Sequence, residues 1–101
     1  MATIRVIKNK NYSVISNYHL HDKNLSFKAK GLLSYMLSLP DNWKFSIKGI
    51  SICSKESEKT VRTVLKELEQ RKYLIIVKKQ NELGRFIYEY LVYEKPDTQN
   101  P

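Results

Sequence analysis

The chain has 101 residues, which is enough for one domain with a single hydrophobic core and too few for two domains of ordinary size. An apolar fraction of 42%, with only three glycines and three prolines, excludes the disordered, collagen-like and low-complexity classes. The formal charge of +8 at pH 7, from 18 basic and 10 acidic residues, favours a polyanionic partner.

The positive charge is concentrated in the first half of the chain. Residues 1–55 include nine basic and two acidic side chains, whereas residues 56–101 include nine and eight. Such a charge suits either a nucleic acid or an anionic membrane surface, so composition leaves both open. No apolar stretch reaches the roughly 18 residues that span a bilayer, and the amino terminus lacks the apolar run of a signal peptide. We therefore expect a cytoplasmic, nucleoid-associated protein, and the fold predicted below favours nucleic acid, with no membrane partner.

The amino-terminal residues 1–16 form a β-prone extension. Two short runs rich in β-branched and aromatic residues, Ile4–Ile7 and Tyr12–Ile15, flank Lys8–Asn11, whose asparagines suit a turn. This pattern predicts either a small hairpin or an extended arm ahead of the main domain, which we place at residues 17–95.

The first predicted helix begins after Ser26, whose hydroxyl suits an N-cap. Pro40 ends the helix because proline cannot continue the hydrogen-bonding pattern. The run Trp43–Phe45 alternates apolar and polar residues and predicts a short strand. In this first helix, between Ser26 and Pro40, apolar residues repeat at helical spacing over about three turns: Ala29, Leu32, Leu33, Met36 and Leu37.

Two further helices follow in close succession. Ser46 can cap a second helix that ends near Cys53, and Ser54–Glu56 makes a tight connection. Ser57 can cap a third helix that runs to about Lys72. The single cysteine cannot form an intrachain disulfide, and its apolar neighbours predict a small core residue. The third helix has the clearest apolar stripe: Val61, Val64, Leu65 and Leu68.

The last part of the chain changes to a strand pattern. Leu74–Lys79 and Phe86–Tyr93 are two β-rich runs, and the glycine-containing loop Gln80–Arg85 joins them into an antiparallel hairpin. Residues 96–101 are polar and without period, which predicts a disordered tail or the start of a linker. The order helix, short strand, helix, turn, helix, hairpin predicts an α+β winged helix-turn-helix, in which the third helix can enter a DNA major groove beside the hairpin wing.

The polar side of the third helix carries the hydrogen-bond donors that DNA contacts require. Arginine and lysine can reach guanine or phosphate, glutamine can bond adenine, and threonine can meet phosphate or a thymine methyl group. An ordinary solvated helix face mixes the same residue types, so this feature alone leaves both interpretations open. Acidic residues on the flanks, Glu58, Glu67 and Glu69, limit how the helix can lie against phosphate. The donors opposite the apolar stripe are Lys59, Arg62, Thr63, Lys66 and Gln70.

Two further groups of donors adjoin this face. The free backbone N–H groups at the start of the third helix favour a phosphate there, and the basic wing tip can reach phosphates or the minor groove. Simple helix capping and protection of the strand edge explain the same residues equally well. The predicted DNA contacts are Lys48, Ser54, Lys55, Ser57, Lys59, Thr60, Arg62, Thr63, Lys66, Lys78, Lys79, Asn81 and Arg85.

The seven tyrosines admit another interpretation, namely stacking on unpaired bases. Alternation places Phe86, Tyr88, Tyr90 and Val92 on one face of the last strand. Because one face must cover the helices, we predict that most of these aromatic residues belong to the core.

No catalytic motif is present. His19 and His21, with Asp22, could touch a metal, but nothing in the sequence completes the coordination shell, so a turn is the preferred prediction. The chain has neither a phosphate-binding loop nor a dinucleotide-binding turn. We expect a protein that is not an enzyme, with no catalytic residues, no metal and no cofactor.

Short motifs spread over nearly the whole chain carry a family resemblance: Asn17–Leu20, Lys23–Leu33, Met36–Pro40, Trp43, Phe45–Gly49, Tyr88–Tyr90 and Tyr93–Pro96. These segments resemble the amino-terminal winged-helix domain of phage and plasmid replication initiators, the DnaD-like replisome organisers. The most specific motif is the LSxKAKGLL…MLSLP pattern within Leu25–Pro40.

The resemblance implies a module that binds duplex origin DNA and oligomerises. Family contacts would fall on the third-helix residues Lys59, Arg62, Thr63 and Lys66 and on the wing Lys78–Arg85. In longer relatives a second domain helps to load the replicative helicase, so a helicase or its loader is an expected partner only through a further domain. The family associates through amino-terminal elements, which implies a homodimer or higher oligomer with these contacts: Ile4, Val6, Tyr12 and Val14.

Two other functions remain open from sequence. A small winged-helix transcriptional regulator would use the same fold at a promoter, because fold does not determine function. Alternatively, the chain is a protein-interaction or oligomerisation module without direct DNA contact, in which the basic surface has no role in binding.

Overall fold

The computed structural model describes residues 1–7 and 10–96. Three helices precede a two-stranded antiparallel hairpin that packs against them, an α+β, winged-helix-like arrangement that confirms the predicted fold class. None of the described helices is both long enough and apolar enough to cross a membrane. In chain order the elements are a 3₁₀ turn at His19–His21, α1 at Phe27–Leu37, α2 at Ile47–Ser54, α3 at Glu58–Gln70, β1 at Leu74–Gln80 and β2 at Phe86–Val92.

Each helix begins at the serine predicted to cap it. The side-chain oxygens of Ser26, Ser46 and Ser57 accept a hydrogen bond from the backbone N–H three residues further on. Each bond satisfies a backbone donor that has no partner inside the helix. The three starts were predictable because an N-cap is a local interaction.

Two lysines in the left-handed backbone region end the second and third helices. Lys55 (φ 62°) follows α2, and this conformation makes the tight connection to α3. Lys72 (φ 70°) follows α3. The N–H of Tyr73 donates to the carbonyl of Leu68 at 3.0 Å, and that of Lys72 donates to Glu69 at 3.1 Å. This bonding pattern is a Schellman motif, in which glycine is the preferred left-handed residue.

The core lies between the helices and the inner end of the hairpin. All four apolar residues of the predicted α3 stripe are buried, as are Ala29, Leu33 and Met36 on α1. Tyr73, at the entrance to β1, is completely buried. The core set is Leu25, Ala29, Leu33, Met36, Ile50, Val61, Val64, Leu65, Leu68, Tyr73 and Leu74.

Tyr73 joins the segment before α1 to the base of the hairpin. Its hydroxyl donates to Asp22 Oδ2 at 2.6 Å, and its carbonyl accepts from the N–H of Tyr93 at 2.9 Å. The hydrogen bond from Tyr73, followed by that from the backbone of Asn24, lowers the pKa of Asp22. Burial, and then the bond to Asp22, raises the pKa of Tyr73.

The pair of histidines forms a turn, as predicted, and one of them is structural. His19 is completely buried, and its Nε2 lies 2.7 Å from Ser34 Oγ on α1. Burial, with a smaller contribution from the charge of Lys30, lowers the pKa of His19. The neutral ring therefore serves as a packing group that fixes the turn on α1.

The described residues of the amino-terminal extension contain neither helix nor strand, which favours the predicted arm over the predicted hairpin. Residues 8 and 9 of the expected turn lie outside the described ranges, as do residues 97–101 of the expected tail. Apolar side chains of the arm are exposed: Ile4 88%, Val6 68%, Tyr12 74% and Val14 91%.

Two local predictions are wrong. The run Trp43–Phe45 is not a strand in the described structure; instead the Phe45 ring packs on Tyr90, with centroids 4.5 Å apart, so a side-chain contact holds the segment in place. Cys53 is exposed rather than part of the core. Within the eight residues of α2 only Ile50 is buried, and the Cys53 thiol lies at the open side, 3.7 Å from Tyr35 Oη.

The aromatic residues of β2 divide between core and solvent. Tyr90 is half-buried against Phe45, as predicted for a core residue. Phe86 and Tyr88 lie on the same strand face but are 60% and 59% exposed, so the prediction is wrong for them. The helices cover only the inner half of that face. Alternation along a strand indicates which side a residue lies on but not how far along the strand the helices extend.

Candidate nucleic-acid interface

The exposed side of α3 brings four predicted contacts together. Lys59, Arg62, Thr63 and Lys66 are all exposed, opposite the buried stripe of the same helix. A helix this strongly divided presents its polar residues as one continuous face. The side chains on this face are mainly hydrogen-bond donors, and three of them, Lys59, Arg62 and Lys66, are cationic.

An ion pair on this face leaves Arg62 able to change partner. Its Nη2 lies 3.3 Å from Glu58 Oε1, and the two side chains are 59% and 44% exposed. Pairs of this kind on a helix contribute only about 0.3–0.5 kcal/mol, which a phosphate contact can replace. Thr63 is more constrained, because its hydroxyl donates to the carbonyl of Lys59 at 3.0 Å.

Glu67 lies in the contact between α3 and α1, where its carboxylate is held against the start of α1. Its two oxygens accept hydrogen bonds from the backbone N–H of Ser26 at 2.8 Å and from the Ser26 hydroxyl at 2.7 Å. A carboxylate at the amino end of α1 also interacts favourably with the helix dipole. Glu67 is therefore a positioning residue for α3, a role that sequence reasoning missed because Ser26 and Glu67 are 41 positions apart.

The predicted contacts at the start of α3 divide into structural and available groups. The Ser57 hydroxyl accepts from the N–H of Thr60 at 3.1 Å and donates to its hydroxyl at 3.0 Å. Ser54 accepts from the N–H of Glu56 at 3.3 Å. These side chains organise the turn. The exposed cations nearby, Lys55 and Lys59, are left as the side chains able to meet an anion.

The wing contributes a second set of cations. Lys78, Lys79 and Arg85 are exposed around the tip. Asn81, also predicted to contact DNA, shapes the loop: its Oδ1 accepts from the N–H of Leu83 at 3.0 Å and of Arg85 at 2.9 Å. The remaining predicted contact, Lys48 on α2, is exposed as well.

The chemistry available at this surface is anion binding. Ammonium and guanidinium groups donate hydrogen bonds, and the helix amino terminus adds backbone donors. Across residues 1–7 and 10–96, no three histidine, cysteine, aspartate or glutamate side chains cluster closely enough to hold a metal ion.

Comparison with known proteins yields no relative from which a role could be transferred. The chain matches no protein-family model, no curated protein and no solved structure. The surface of α3, the wing and the sequence motifs are therefore the features of this chain that indicate a function.

Proposed function

We propose that this chain is a winged-helix domain that binds duplex DNA, with α3 in the major groove and the hairpin against the adjacent backbone. The observation that carries the proposal is the exposed face of α3, where Lys59, Arg62 and Lys66 stand opposite the buried stripe. Of the acids beside that face, Glu67 is bound to α1 and Glu58 is paired with Arg62. The domain acts by binding and not as an enzyme.

We further propose that the bound site is a replication origin and that the protein is an initiator of the DnaD-like type. The motif run within Leu25–Pro40 supports this role through its resemblance to that family. The same surface would serve a transcriptional regulator, because fold and charge do not choose between the two. Fragments selected from a genomic library by the protein would lie in origins for an initiator and in promoters for a regulator.

The exposed arm supports self-association as part of the proposal. Its apolar side chains are of the kind that a second copy can cover, and an uncovered apolar surface is a common mark of an interface. Deleting residues 1–15 should convert a dimer to a monomer in sedimentation velocity. A dimer that survives the deletion would place the contact elsewhere.

The test of DNA binding compares two variants that lose the same charge. Lys59→Ala/Arg62→Ala/Lys66→Ala removes three cations from α3, and Lys10→Ala/Lys23→Ala/Arg71→Ala removes three from outside the candidate interface. The α3 variant should lose most of its affinity for duplex DNA in fluorescence anisotropy, whereas the control should lose little. Equal losses would mean that the net charge, and not α3, holds the DNA.

A further inference from the structure

The outer half of the hairpin exposes two aromatic rings on one face. Phe86 is 60% exposed and Tyr88 is 59% exposed. In the strand register Phe86 is paired with Gln80, and Tyr88 with Lys78, and residues paired across two strands point to the same side of a sheet. We call the face formed by these four residues the wing platform.

The wing platform extends a packed aromatic surface. Further along the same face, Tyr90 packs on Phe45 with ring centroids 4.5 Å apart, which anchors the hairpin to the segment before α2. Between Tyr90 and the hairpin tip, no described residue buries the rings of Phe86 and Tyr88. The exposed rings therefore stand on a strand whose inner end is fixed.

The charges around the wing platform favour an anionic aromatic ligand. Lys78 lies on the platform itself, with Nζ over the Phe86 ring, 4.0 Å from its centroid, so a base that stacks on that side of the ring must move the ammonium group aside. The nearest acid in β2, Glu89, lies on the opposite face and is bound to Lys79 at 3.1 Å. Glu69 acts on the covered inner end, where its charge adds to burial in raising the pKa of Tyr90. Exposed rings next to an ammonium group suit bases linked by phosphates. The loop beside them adds one exposed acid, Glu82, and one exposed cation, Arg85.

We propose that the wing platform binds unpaired nucleotides of single-stranded DNA, with bases stacked on Tyr88 and Phe86 and a phosphate at Lys78. Alternate residues of a strand are about 6.8 Å apart, roughly twice the spacing of stacked bases, so an extended strand can place a base on each ring. Base-paired DNA cannot offer its bases in this way, because they are already stacked. This site is therefore distinct in ligand from the duplex-binding face of α3, although Lys78 belongs to both.

The test uses a labelled oligothymidylate and a labelled duplex in parallel anisotropy titrations at low salt. The variant Phe86→Leu/Tyr88→Leu removes the rings and keeps apolar side chains. The matched control Leu83→Ala/Ile87→Ala changes two other exposed apolar residues of the wing, which are 79% and 47% exposed. Circular dichroism and thermal unfolding should change little in both, because Phe86, Tyr88 and Leu83 are mostly in solvent and Ile87 is about half exposed.

The leucine variant should bind oligothymidylate at least about tenfold more weakly and should retain its duplex affinity, because each stacked base depends on a ring. The control should bind both probes like the parent protein. Photo-crosslinking of a 4-thiothymidine oligonucleotide should label a peptide that contains Tyr88. Unchanged oligothymidylate binding by the leucine variant, or none by the parent, would overturn the proposal. A change of oligomeric state in the leucine variant would also overturn it and would assign the platform to a second copy. Duplex binding by the parent, measured alongside, separates these failures from a failure of the α3 interface.

Discussion

The third helix and the hairpin divide buried from exposed surface in different directions. In α3 the division runs around the helix axis: Val61, Val64, Leu65 and Leu68 are buried, and the cations opposite them are exposed. In the hairpin it runs along the strands, because Leu74 is 2% exposed at the base and Phe86 is 60% exposed near the tip. The helix can present one side to a ligand while the other side holds it in place. The hairpin is held at one end and offers both faces at the other.

This difference predicts where substitutions affect stability and where they affect binding. In α3, substitutions on the buried side should affect stability, and substitutions on the exposed side should affect binding. In the hairpin, substitutions at the base should affect stability, and substitutions near the tip should affect binding. Four experiments test the comparison, and they follow in order of decreasing effect.

The largest effect should come from the buried side of α3. Leu68 is completely buried, so Leu68→Ala should lower the free energy of unfolding by about 2–5 kcal/mol through lost burial and the cavity left behind. Leu83→Ala at the wing tip, where the residue is 79% exposed, should change it by less than about 0.5 kcal/mol. Chemical denaturation of both variants measures the contrast. Similar losses at the two sites would mean that the wing tip is packed against something in solution.

The base of the hairpin should respond to Tyr73→Phe. Loss of the bond from the Tyr73 hydroxyl to Asp22 should cost about 1–2 kcal/mol at neutral pH. That bond lowers the pKa of Asp22, so its contribution is complete above the ordinary aspartate value of 3.8 and is lost as the pH falls through the lower value of the folded state. Denaturation curves of the two proteins should therefore converge in acid. A stability difference between the two proteins that does not change with pH would mean that the ionised carboxylate of Asp22 is not its cause.

Two acids on α3 should show that position, and not charge alone, decides their roles. Glu67→Gln should cost about 1 kcal/mol of stability, because the carboxylate caps α1 through Ser26, and should leave duplex affinity unchanged. Glu58→Gln should cost about 0.5 kcal/mol of stability, from the helix dipole and the lost ion pair, and should tighten duplex binding, because it removes a negative charge and frees Arg62. Denaturation and anisotropy on both variants provide the comparison. Tighter binding by the Glu67 variant would place this carboxylate near the DNA after all.

The smallest effect concerns the end of α3. Lys72 occupies the left-handed position of the Schellman motif, so Lys72→Gly should raise stability by about 0.5 kcal/mol, since relief of backbone strain exceeds the entropy that glycine adds to the unfolded chain. The neighbouring Arg71 has φ −91°, where glycine relieves no strain, so Arg71→Gly should be destabilising. Thermal unfolding of the pair decides the sign. A destabilising Lys72→Gly would mean that the lysine side chain makes a contact worth more than the strain.

Local interactions explain what the sequence could predict. The caps at Ser26, Ser46 and Ser57 lie within three residues of their partners, and the α3 stripe follows the period of the helix. The hairpin was predictable from two β-prone runs and a loop with Gly84, whose φ is 78°.

Contacts distant in sequence explain what could not be predicted. Nothing in the pattern around Glu67 indicates Ser26, and nothing around Tyr73 indicates Asp22, 51 positions away. Exposure of Phe86 and Tyr88 depends on how far the helices reach along the hairpin, and exposure of Cys53 depends on how little of α2 is covered. Among the predicted contacts, Ser57 and Asn81 proved to have local hydrogen-bonding roles that their residue types favour in any protein.

The salt dependence of duplex binding, measured for the α3 triple-alanine variant and the parent protein, shows directly whether α3 holds the DNA. If α3 and the wing make about four to six phosphate contacts, the slope of log K against log salt should be about −4 to −5. The variant should show weaker binding and a shallower slope. Absence of binding at low salt, or a variant with the slope and affinity of the parent, would contradict the assignment of the DNA to α3.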